Sequence, residues 1–542
     1  MNDFADVDAI AAEYQVRGGQ PGLVYGIVRG GSLEHAAGLG ERFLGGSAPD
    51  ADSVFRIASM SKSFTAAAIV LLRDSGALAL DDPASRYVPE LRKWLFQPSI
   101  RHLLTMTAGF PTDDPWGDRQ QGLPLDEFGA FLARGVSFAR EPGISFEYSN
   151  LGYAILGRVI SDVSGVPYKD FIRDRLMLPL GMSRSGYEAP PDGLARGYRR
   201  APSGWEEVPI EPYGAFAPMG GVFTTISDLA LWVAGFMSAG DSHPLRVASR
   251  REMQLPQVPT LWDRPAAFPG DGHVTGYGFG LAIGEDPVLG RVAGHGGGYP
   301  GFGSYMRWHQ PSGIGVIAFG NSTYARMQQL TARMLSALAG RPGVVPWPAT
   351  VAARDAVSRL LVSWDDAVAD RLFTPNVALD SPFPERRAAL DRVGARVGDV
   401  ADDPAYQPEH DTPAHCRWRL TGPHGTVQAQ ILLTPELQPR VQSVTVAIPP
   451  AGGSALARAL DSVVAFMNSG GDSPVTNGVL ARRLRAAAAW AGRCRVTAYT
   501  DGDGETTTSV ELAGEHAVLT LSIAIDAVTG QIRQGDVTWY PH

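Results

Sequence analysis

The sequence has little cysteine, no long apolar run and no excess of positive charge. Its 542 residues contain two cysteines, too few for a disulfide framework. No segment approaches the roughly eighteen consecutive apolar residues that a membrane-spanning helix requires. The formal net charge is -9, and lysine and arginine form no block. These shortages exclude a disulfide scaffold and predict that the protein binds neither membrane nor nucleic acid.

The N-terminal stretch, MNDFADVDAIAAEYQ, lacks both the basic and the apolar region of an export signal. Its apolar residues recur at helical spacing instead: Phe4, Val7, Ile10, Ala11 and Tyr14. We therefore expect a folded N-terminal helix and a cytoplasmic protein.

The chain is long enough for two to four domains, and glycine and proline concentrate in AGRPGVVPWPAT at 339–350. We predict a first domain over 1–340, a linker over 341–350, and accessory α+β units over 351–450 and 451–542.

Before the linker, strand patterns predict two hairpins, 22–29 with 32–39 and 302–309 with 313–319. Helical patterns occupy much of the sequence between them, including 59–75, 151–164 and 226–237. Strands at both ends with helices between predict an α+β fold, in which an antiparallel sheet joins the termini and packs against helices.

After the linker the sequence looks internally duplicated. HCRWRL from His415 resembles RCRVTA from Arg493, and HGTVQAQILL from His424 resembles HAVLTLSIAI from His516. Each unit is predicted to be helices followed by three or four antiparallel strands. Cys416 and Cys494 would occupy equivalent places as core thiols.

The stretch IASMSKSFTA at 57–66 places Ser59 three residues before Lys62. On a helix these side chains share a face, and a lysine kept neutral by burial can take the proton of a serine nucleophile. The alternative from the residues alone is that Ser59 caps the helix and Lys62 faces water.

Two further stretches could complete such a site. FEYSNLGYAILG offers the phenol of Tyr148 and the amide of Asn150, although Ser149 or Asn150 could simply cap a helix. GHGGGYPGFGS offers His295 and glycines that permit close backbone approach. Its formal G-x-G-x-x-G is not a dinucleotide site, because a strand pattern follows it instead of a helix.

S-x-x-K, Y-x-N and H-G-G in this order resemble the penicillin-binding-protein and class C β-lactamase superfamily of serine hydrolases. SVFRIASMSKSFTA, IRHLLTMTAGF and MGGVFTTISDLALW extend the resemblance over about 20–340, towards its esterase and D-aminopeptidase branch. The resemblance implies a β-lactamase-like fold for this part of the chain, and no metal or organic cofactor.

The resemblance also implies roles for the residues in these motifs. Ser59 would attack the carbonyl and become acylated, while Lys62 and Tyr148 share the proton transfers. Asn150 would orient the lysine and the substrate.

The H-G-G strand would supply the other binding groups. His295, Gly297 and Gly298 would bind substrate, with His295 in the place of the lysine of K-T-G. The backbone N–H groups of Ser59 and Gly298 would form the oxyanion hole.

Two departures from the family pattern stand out. H-G-G replaces K-T-G, which removes the fixed cation used for a β-lactam carboxylate and makes a β-lactamase less favoured. Met106 and Ala108 stand where relatives often have histidine and serine, which we interpret as a packing change behind the site.

We therefore expect a serine hydrolase that cleaves a small ester, amide or short peptide, including peptides with D-amino acids. The alternatives are a β-lactamase or D-Ala-D-Ala-type carboxypeptidase, an acyltransferase or peptide cyclase, and a non-catalytic binding protein. Asp113, Asp114 and Asp118 could attract a substrate amine, but we expect them to face water. The C-terminal units have three open roles: gating the site, mediating a homodimer, or stabilising the chain.

Overall fold

The structure is a computed structural model, and it describes residues 4–240, 242–260, 274–286, 289–339, 344–469, 472–514 and 517–539. Its internal contacts divide the chain into two units, Met1–Pro342 and Gly343–His542. The division falls within the predicted linker 341–350, of which residues 341–343 lie outside the described residues. The domain limits predicted at 340 and 450 stay predictions.

The first unit is built on one large antiparallel sheet. The strands of this unit are β1 Gly22–Arg29, β2 Ser32–Gly40, β3 Phe55–Arg56, β4 Tyr198–Ala201, β5 Gly204–Glu207, β6 Phe223–Thr224, β7 Val258–Pro259, β8 Val274–Tyr277, β9 Ala282–Asp286, β10 Gly290–Tyr299, β11 Phe302–His309 and β12 Ile314–Gly320. The sheet runs β2-β1-β12-β11-β10-β9-β8-β7, so that β1 and β12 pair and join the two ends of the unit.

Helices cover both faces of this sheet. The helices of this unit are α1 Ala5–Gly18, α2 Ser61–Asp74, α3 Ile100–Leu104, α4 Asp114–Gly117, α5 Leu125–Arg134, α6 Asn150–Ser164, α7 Tyr168–Ile172, α8 Ala217–Gly220, α9 Ile226–Met237, α10 Val247–Met253 and α11 Met327–Ala339. Because side chains alternate along a strand, Leu23 and Tyr25 of β1 face the core with α1 and α11, while Val24 and Val28 face the core with α2, α6 and α9.

Most local predictions for this unit are confirmed. β1 pairs with β2 and β11 with β12, as the two predicted hairpins require. The predicted helix 226–237 matches α9, where the Thr225 side chain accepts a hydrogen bond from the Asp228 N–H and caps the helix. Together with the sheet that joins the termini, these elements confirm the α+β fold.

The predicted helix 59–75 requires a correction at its beginning. Ser59 lies in a 3₁₀ turn, Ala58–Met60, and α2 begins two residues later. The chain arrives from β3, and Ala58 turns it with a φ of 47°, a left-handed conformation that an α-helix does not contain.

The second unit contains two four-stranded antiparallel sheets, β13-β14-β15-β16 and β17-β18-β19-β20, and each packs with helices around its own apolar core. Its helices are α12 Pro348–Val362, α13 Asp366–Leu372, α14 Pro375–Asp380, α15 Phe383–Val397, α16 Ala455–Ser469 and α17 Gly478–Ala491. Its strands are β13 Ala401–Asp402, β14 His415–Gly422, β15 Gly425–Leu433, β16 Val441–Ala447, β17 Arg495–Asp501, β18 Thr507–Ala513, β19 Val518–Ile525 and β20 Ile532–Trp539. The prediction of helices followed by antiparallel strands is confirmed for both halves.

The predicted equivalence of the two cysteines is wrong. Cys416 lies in β14, the second strand of its sheet, whereas Cys494 precedes β17, the first strand of the other. Matching the two C-terminal units by sequence left out β18, which occupies the place of β14 in its sheet and pairs directly with β19. Both cysteines are nevertheless buried and form no disulfide, which agrees with their predicted place in the core.

Among the helices of the described residues, none combines the length and apolar character that crossing a bilayer demands.

Candidate active site

The 3₁₀ turn that carries Ser59 is held on both sides by hydrogen bonds to residues that are distant in the sequence. The Ser304 hydroxyl of β11 donates to the Ile57 carbonyl at 2.8 Å, and the Val222 N–H donates to the Ser61 hydroxyl at 3.0 Å. Only 8% of the Ser59 surface remains exposed, and it faces a cavity. The turn therefore presents one hydroxyl at a fixed place.

Lys62 is fully buried beside Ser59. Its Nζ lies 2.9 Å from Ser59 Oγ, 2.7 Å from Asn150 Oδ1 and 3.0 Å from the Met219 carbonyl oxygen in α8. Burial lowers the pKa of Lys62 to about 8, because a charged ammonium loses its hydration there. In the neutral form, two N–H groups can donate to the amide and carbonyl oxygens, and the lone pair faces the Ser59 hydroxyl proton.

Asn150 is held by the loop before α4. The buried carboxylate of Asp113 accepts hydrogen bonds from the N–H groups of Asn150 at 2.7 Å and Leu151 at 2.8 Å, and from the Ser149 hydroxyl at 3.1 Å. Ser149 in turn accepts a hydrogen bond from the Gly152 N–H. The start of α6 is thus capped twice, which fixes the position of Asn150.

The prediction that the three aspartates face water is wrong for two of them. Asp113 and Asp118 are buried, and Asp118 accepts a hydrogen bond from the Tyr324 hydroxyl at 2.9 Å. Asp114 is exposed, but its Oδ1 accepts a hydrogen bond from Asn150 Nδ2 at 2.8 Å. Burial raises the pKa of Asp118 to about 7. Sequence reasoning missed these partners because they lie 36 to 206 residues away along the chain.

Tyr148 is half-buried against the same group. Its ring centroid lies 4.8 Å from Lys62 Nζ, and its phenol is a hydrogen-bond partner of the Ser59 side chain. Burial raises the pKa of Tyr148 well above its usual value of 10.0, and the Ser59 hydrogen bond offsets only part of that rise. The phenol therefore remains protonated at neutral pH.

His295 lies within β10 and is 1% exposed. Its Nδ1 lies 2.6 Å from the Gly296 carbonyl oxygen and so carries the proton, which leaves Nε2 to accept from the Tyr277 hydroxyl at 3.1 Å. Burial and the nearby Lys62 lower the pKa of His295 to about 3. The imidazole is therefore neutral and supplies no fixed cation in the place of the K-T-G lysine. Both ring nitrogens are engaged within the protein. The predicted contact of His295 with substrate stays a prediction.

The glycines after His295 allow β10 to approach the Ser59 turn. A Cβ at Gly297 would lie 2.1 Å from the Ile57 carbonyl oxygen and 2.3 Å from Ser304 Oγ. A Cβ at Gly298 would lie 2.7 Å from a ring carbon of Tyr324. At Gly297, where the neighbour is backbone, only glycine permits this separation, so the H-G-G pattern reflects close backbone packing at the site.

A cavity of about 910 Å³ opens beside these groups. Its lining includes Ser59, Asp114, Asp118, Tyr148, His295, Gly297, Gly298 and Tyr324, and Lys62 and Asn150 lie directly behind Ser59. The structure thus brings all seven residues of the predicted site together, while their catalytic roles stay predictions. Within the described residues, no group of histidine, cysteine, aspartate and glutamate side chains is arranged to hold a metal ion.

A family model described as Beta-lactamase matches residues 7–340, which is more than half of the chain. The chain belongs to the beta-lactamase family. The match spans the large sheet, its helices and every residue of the predicted site.

Two curated relatives resemble this beta-lactamase family member. Penicillin-binding protein 4* of Bacillus subtilis (strain 168) is 29% identical over 276 residues, which cover 47% of this chain and 58% of the relative. D-alanyl-D-alanine-carboxypeptidase/endopeptidase AmpH of Escherichia coli (strain K12) is 28% identical over 284 residues, or 50% of this chain and 71% of the relative. The chain thus spans little more than half the length of the first of these proteins.

A solved structure resembles the whole chain. The octameric penicillin-binding protein homologue from Pyrococcus abyssi superposes with a TM-score of 0.55 at 20% identity, covering 99% of this chain and 100% of that one. At this identity the likeness shows a shared fold, and it extends to the C-terminal sheets.

Proposed function

We propose that this chain is a serine hydrolase that cleaves a small ester or amide, including short peptides with D-amino acids, through an acyl-enzyme on Ser59. The observation that carries the proposal is the buried Lys62, whose Nζ lies 2.9 Å from Ser59 Oγ and has acceptor oxygens as its other two partners. A neutral lysine in this place can take one proton, and the Ser59 hydroxyl is the partner that can give it.

Acylation begins when Ser59 Oγ attacks the substrate carbonyl carbon and its proton moves to Lys62 Nζ. The carbonyl π electrons move to the oxygen, which becomes negatively charged. The backbone N–H groups of Ser59 and Gly298 would stabilise this oxyanion, and both residues line the cavity.

Collapse of the intermediate breaks the bond to the leaving alcohol or amine, which takes a proton from the Tyr148 phenol. The phenol recovers its proton from the Lys62 ammonium, so both groups end as they began. Water then attacks the ester carbonyl and gives one proton to Lys62. When this second intermediate collapses, the bond to Ser59 Oγ breaks, Ser59 Oγ takes that proton back from Lys62, and the acid is released. The raised pKa of Tyr148 supports the role of a protonated donor.

The cleft favours a small ester or peptide over a penicillin. Its volume of about 910 Å³ suits a ligand of a few residues. His295 is neutral and holds no positive charge for a β-lactam carboxylate. The second candidate is a D-Ala-D-Ala-type carboxypeptidase, which is supported by the activity that the name of the relative AmpH records.

The experiment is a substrate panel on the wild-type chain and on Ser59→Ala. It contains p-nitrophenyl esters, D-amino-acid p-nitroanilides, a peptide ending in D-Ala-D-Ala and a penicillin, each with and without an added amine acceptor. We expect turnover of esters or D-anilides that is lost in Ser59→Ala. Turnover of the penicillin alone would contradict the substrate proposal, and amide products formed with the acceptor would show an acyltransferase.

We also propose a cytoplasmic location and a homodimer. The homodimer is tested by light scattering of the purified chain. A mass of one subunit would contradict it, and a larger assembly would resemble the octamer named for the Pyrococcus abyssi homologue.

A further inference from the structure

The side-chain amide of Asn150 is held at both ends. Its Oδ1 lies 2.7 Å from Lys62 Nζ, and its Nδ2 donates to Asp114 Oδ1 at 2.8 Å. A carboxylate accepts hydrogen bonds and does not donate them, so the end of the amide that faces Asp114 must be the NH₂ group. The oxygen then faces Lys62.

This orientation matters for the state of Lys62. If the amide were turned round, its NH₂ group would face the lysine, and a neutral lysine would point its lone pair at that group. With the oxygen facing the lysine, Asn150 and the Met219 carbonyl both accept hydrogen bonds. The lone pair then remains for the proton of Ser59 Oγ, 2.9 Å away.

Two neighbouring aspartates bind different parts of Asn150. Asp113 binds the backbone N–H of Asn150 and so fixes where the residue lies. Asp114 binds the side chain and so fixes which way the amide points. Helix α4 can come this close to Asn150 because its Gly117 has no side chain: a Cβ there would lie 2.7 Å from the Cβ of Asn150.

We infer that Asp114 is a positioning residue of the reaction, which acts through the Asn150 amide to keep Lys62 aimed at the Ser59 hydroxyl. The inference rests on the proposed function, in which Lys62 is the base for Ser59. It goes beyond the motifs of the site, because Asp114 lies outside all three of them.

The charge of Asp114 also affects the lysine. The groups that face Lys62 are Asp113, Asp114, Asp118, Tyr148, Tyr153 and His295. Burial lowers the pKa of Lys62, and Asp114 is the largest of the charges that oppose this fall. Removal of the charge should therefore lower the pKa further and populate the neutral base at lower pH.

The test compares Asp114→Asn and Asp114→Ala through the pH dependence of kcat/KM on the best ester of the panel. The asparagine variant keeps an acceptor oxygen but loses the charge, so the acid limb should move down by about one pH unit and the plateau should fall less than about fivefold. The alanine variant also loses the acceptor, and its plateau should fall about 10- to 100-fold. Asp126→Asn, an exposed carboxylate in the first turn of α5, is the matched control and should change neither.

An acid limb that stays in place in Asp114→Asn would overturn the inference, as would an unchanged plateau in Asp114→Ala. If Asp114→Ala does not fold, the pH position of the acid limb in Asp114→Asn still decides whether the inference holds. A limb that disappears in Asp118→Asn would belong to that carboxyl and would also overturn the inference. Failure of the proposed function looks different, since turnover would then survive in Ser59→Ala whatever the Asp114 variants do.

Discussion

Gly297→Ala should slow the reaction of Ser59 by moving β10 away from the turn that carries it. The added Cβ would lie 2.1 Å from the Ile57 carbonyl oxygen and 2.3 Å from Ser304 Oγ. The Ile57 oxygen is backbone, and it is already held by the Ser304 hydroxyl at 2.8 Å. The methyl group therefore cannot be accommodated by rotating a side chain.

The required movement can be read from the distance. A contact of 2.1 Å must open by more than about 1 Å to reach an ordinary separation, and a misplacement of about 1 Å already costs about 100-fold in rate. Overpacking of this kind also destabilises a fold by about 1–3 kcal/mol. We expect both effects, because the same contact joins the strand to the turn.

The assay is the second-order rate constant for labelling of Ser59 by a fluorophosphonate, followed by intact mass and corrected for the folded fraction from near-UV circular dichroism. Gly296→Ala is the matched control, since its Cβ would lie 3.0 Å from a ring carbon of Tyr305, a side chain that can give way. The control should label within about threefold of wild type. Labelling of Gly297→Ala at the same rate as the control would show that this strand does not fix the nucleophile.

Two further predictions concern the lysine and the loop that supports it. Lys62→Met should lower kcat/KM by about 10²- to 10⁴-fold, and in the wild type kcat/KM should rise with pH to a plateau above the lysine pKa of about 8, because only the deprotonated lysine accepts a proton. Steady-state kinetics across pH check this, and a wild-type profile that falls through that range would contradict it. Asp113→Ala should lower the free energy of unfolding by about 2–3 kcal/mol, because it leaves the buried N–H groups of Asn150 and Leu151 without their acceptor. Urea unfolding checks this, and a loss below about 0.5 kcal/mol would show that water replaces the carboxylate.

Much of the fold could be predicted because its signals are local. The helix α9 begins after Thr225, whose side chain caps it, and its apolar residues recur at helical spacing. The hairpin of β1 and β2 follows from apolar strands separated by Gly30 and Gly31, both of which have positive φ.

The remaining features depend on contacts between distant residues. Asp113 is buried because it caps α6, whose first residue, Asn150, lies 37 residues later in the sequence. Asp118 is buried where it accepts a hydrogen bond from the Tyr324 hydroxyl. Ser59 lies in a 3₁₀ turn because β3 and Val222 hold the chain that leads into it. The residues next to Asp113, Asp118 or Ser59 in the sequence do not indicate these distant partners.

The proposed mechanism requires Ser59 to be the nucleophile of this beta-lactamase family member. Intact mass spectrometry of the full chain with a fluorophosphonate, followed by peptide mapping, tests it most directly, with Ser59→Ala as the comparison. We expect one adduct, located on Ser59 and lost in the variant. An unlabelled wild-type chain, or an adduct that persists in Ser59→Ala, would contradict it.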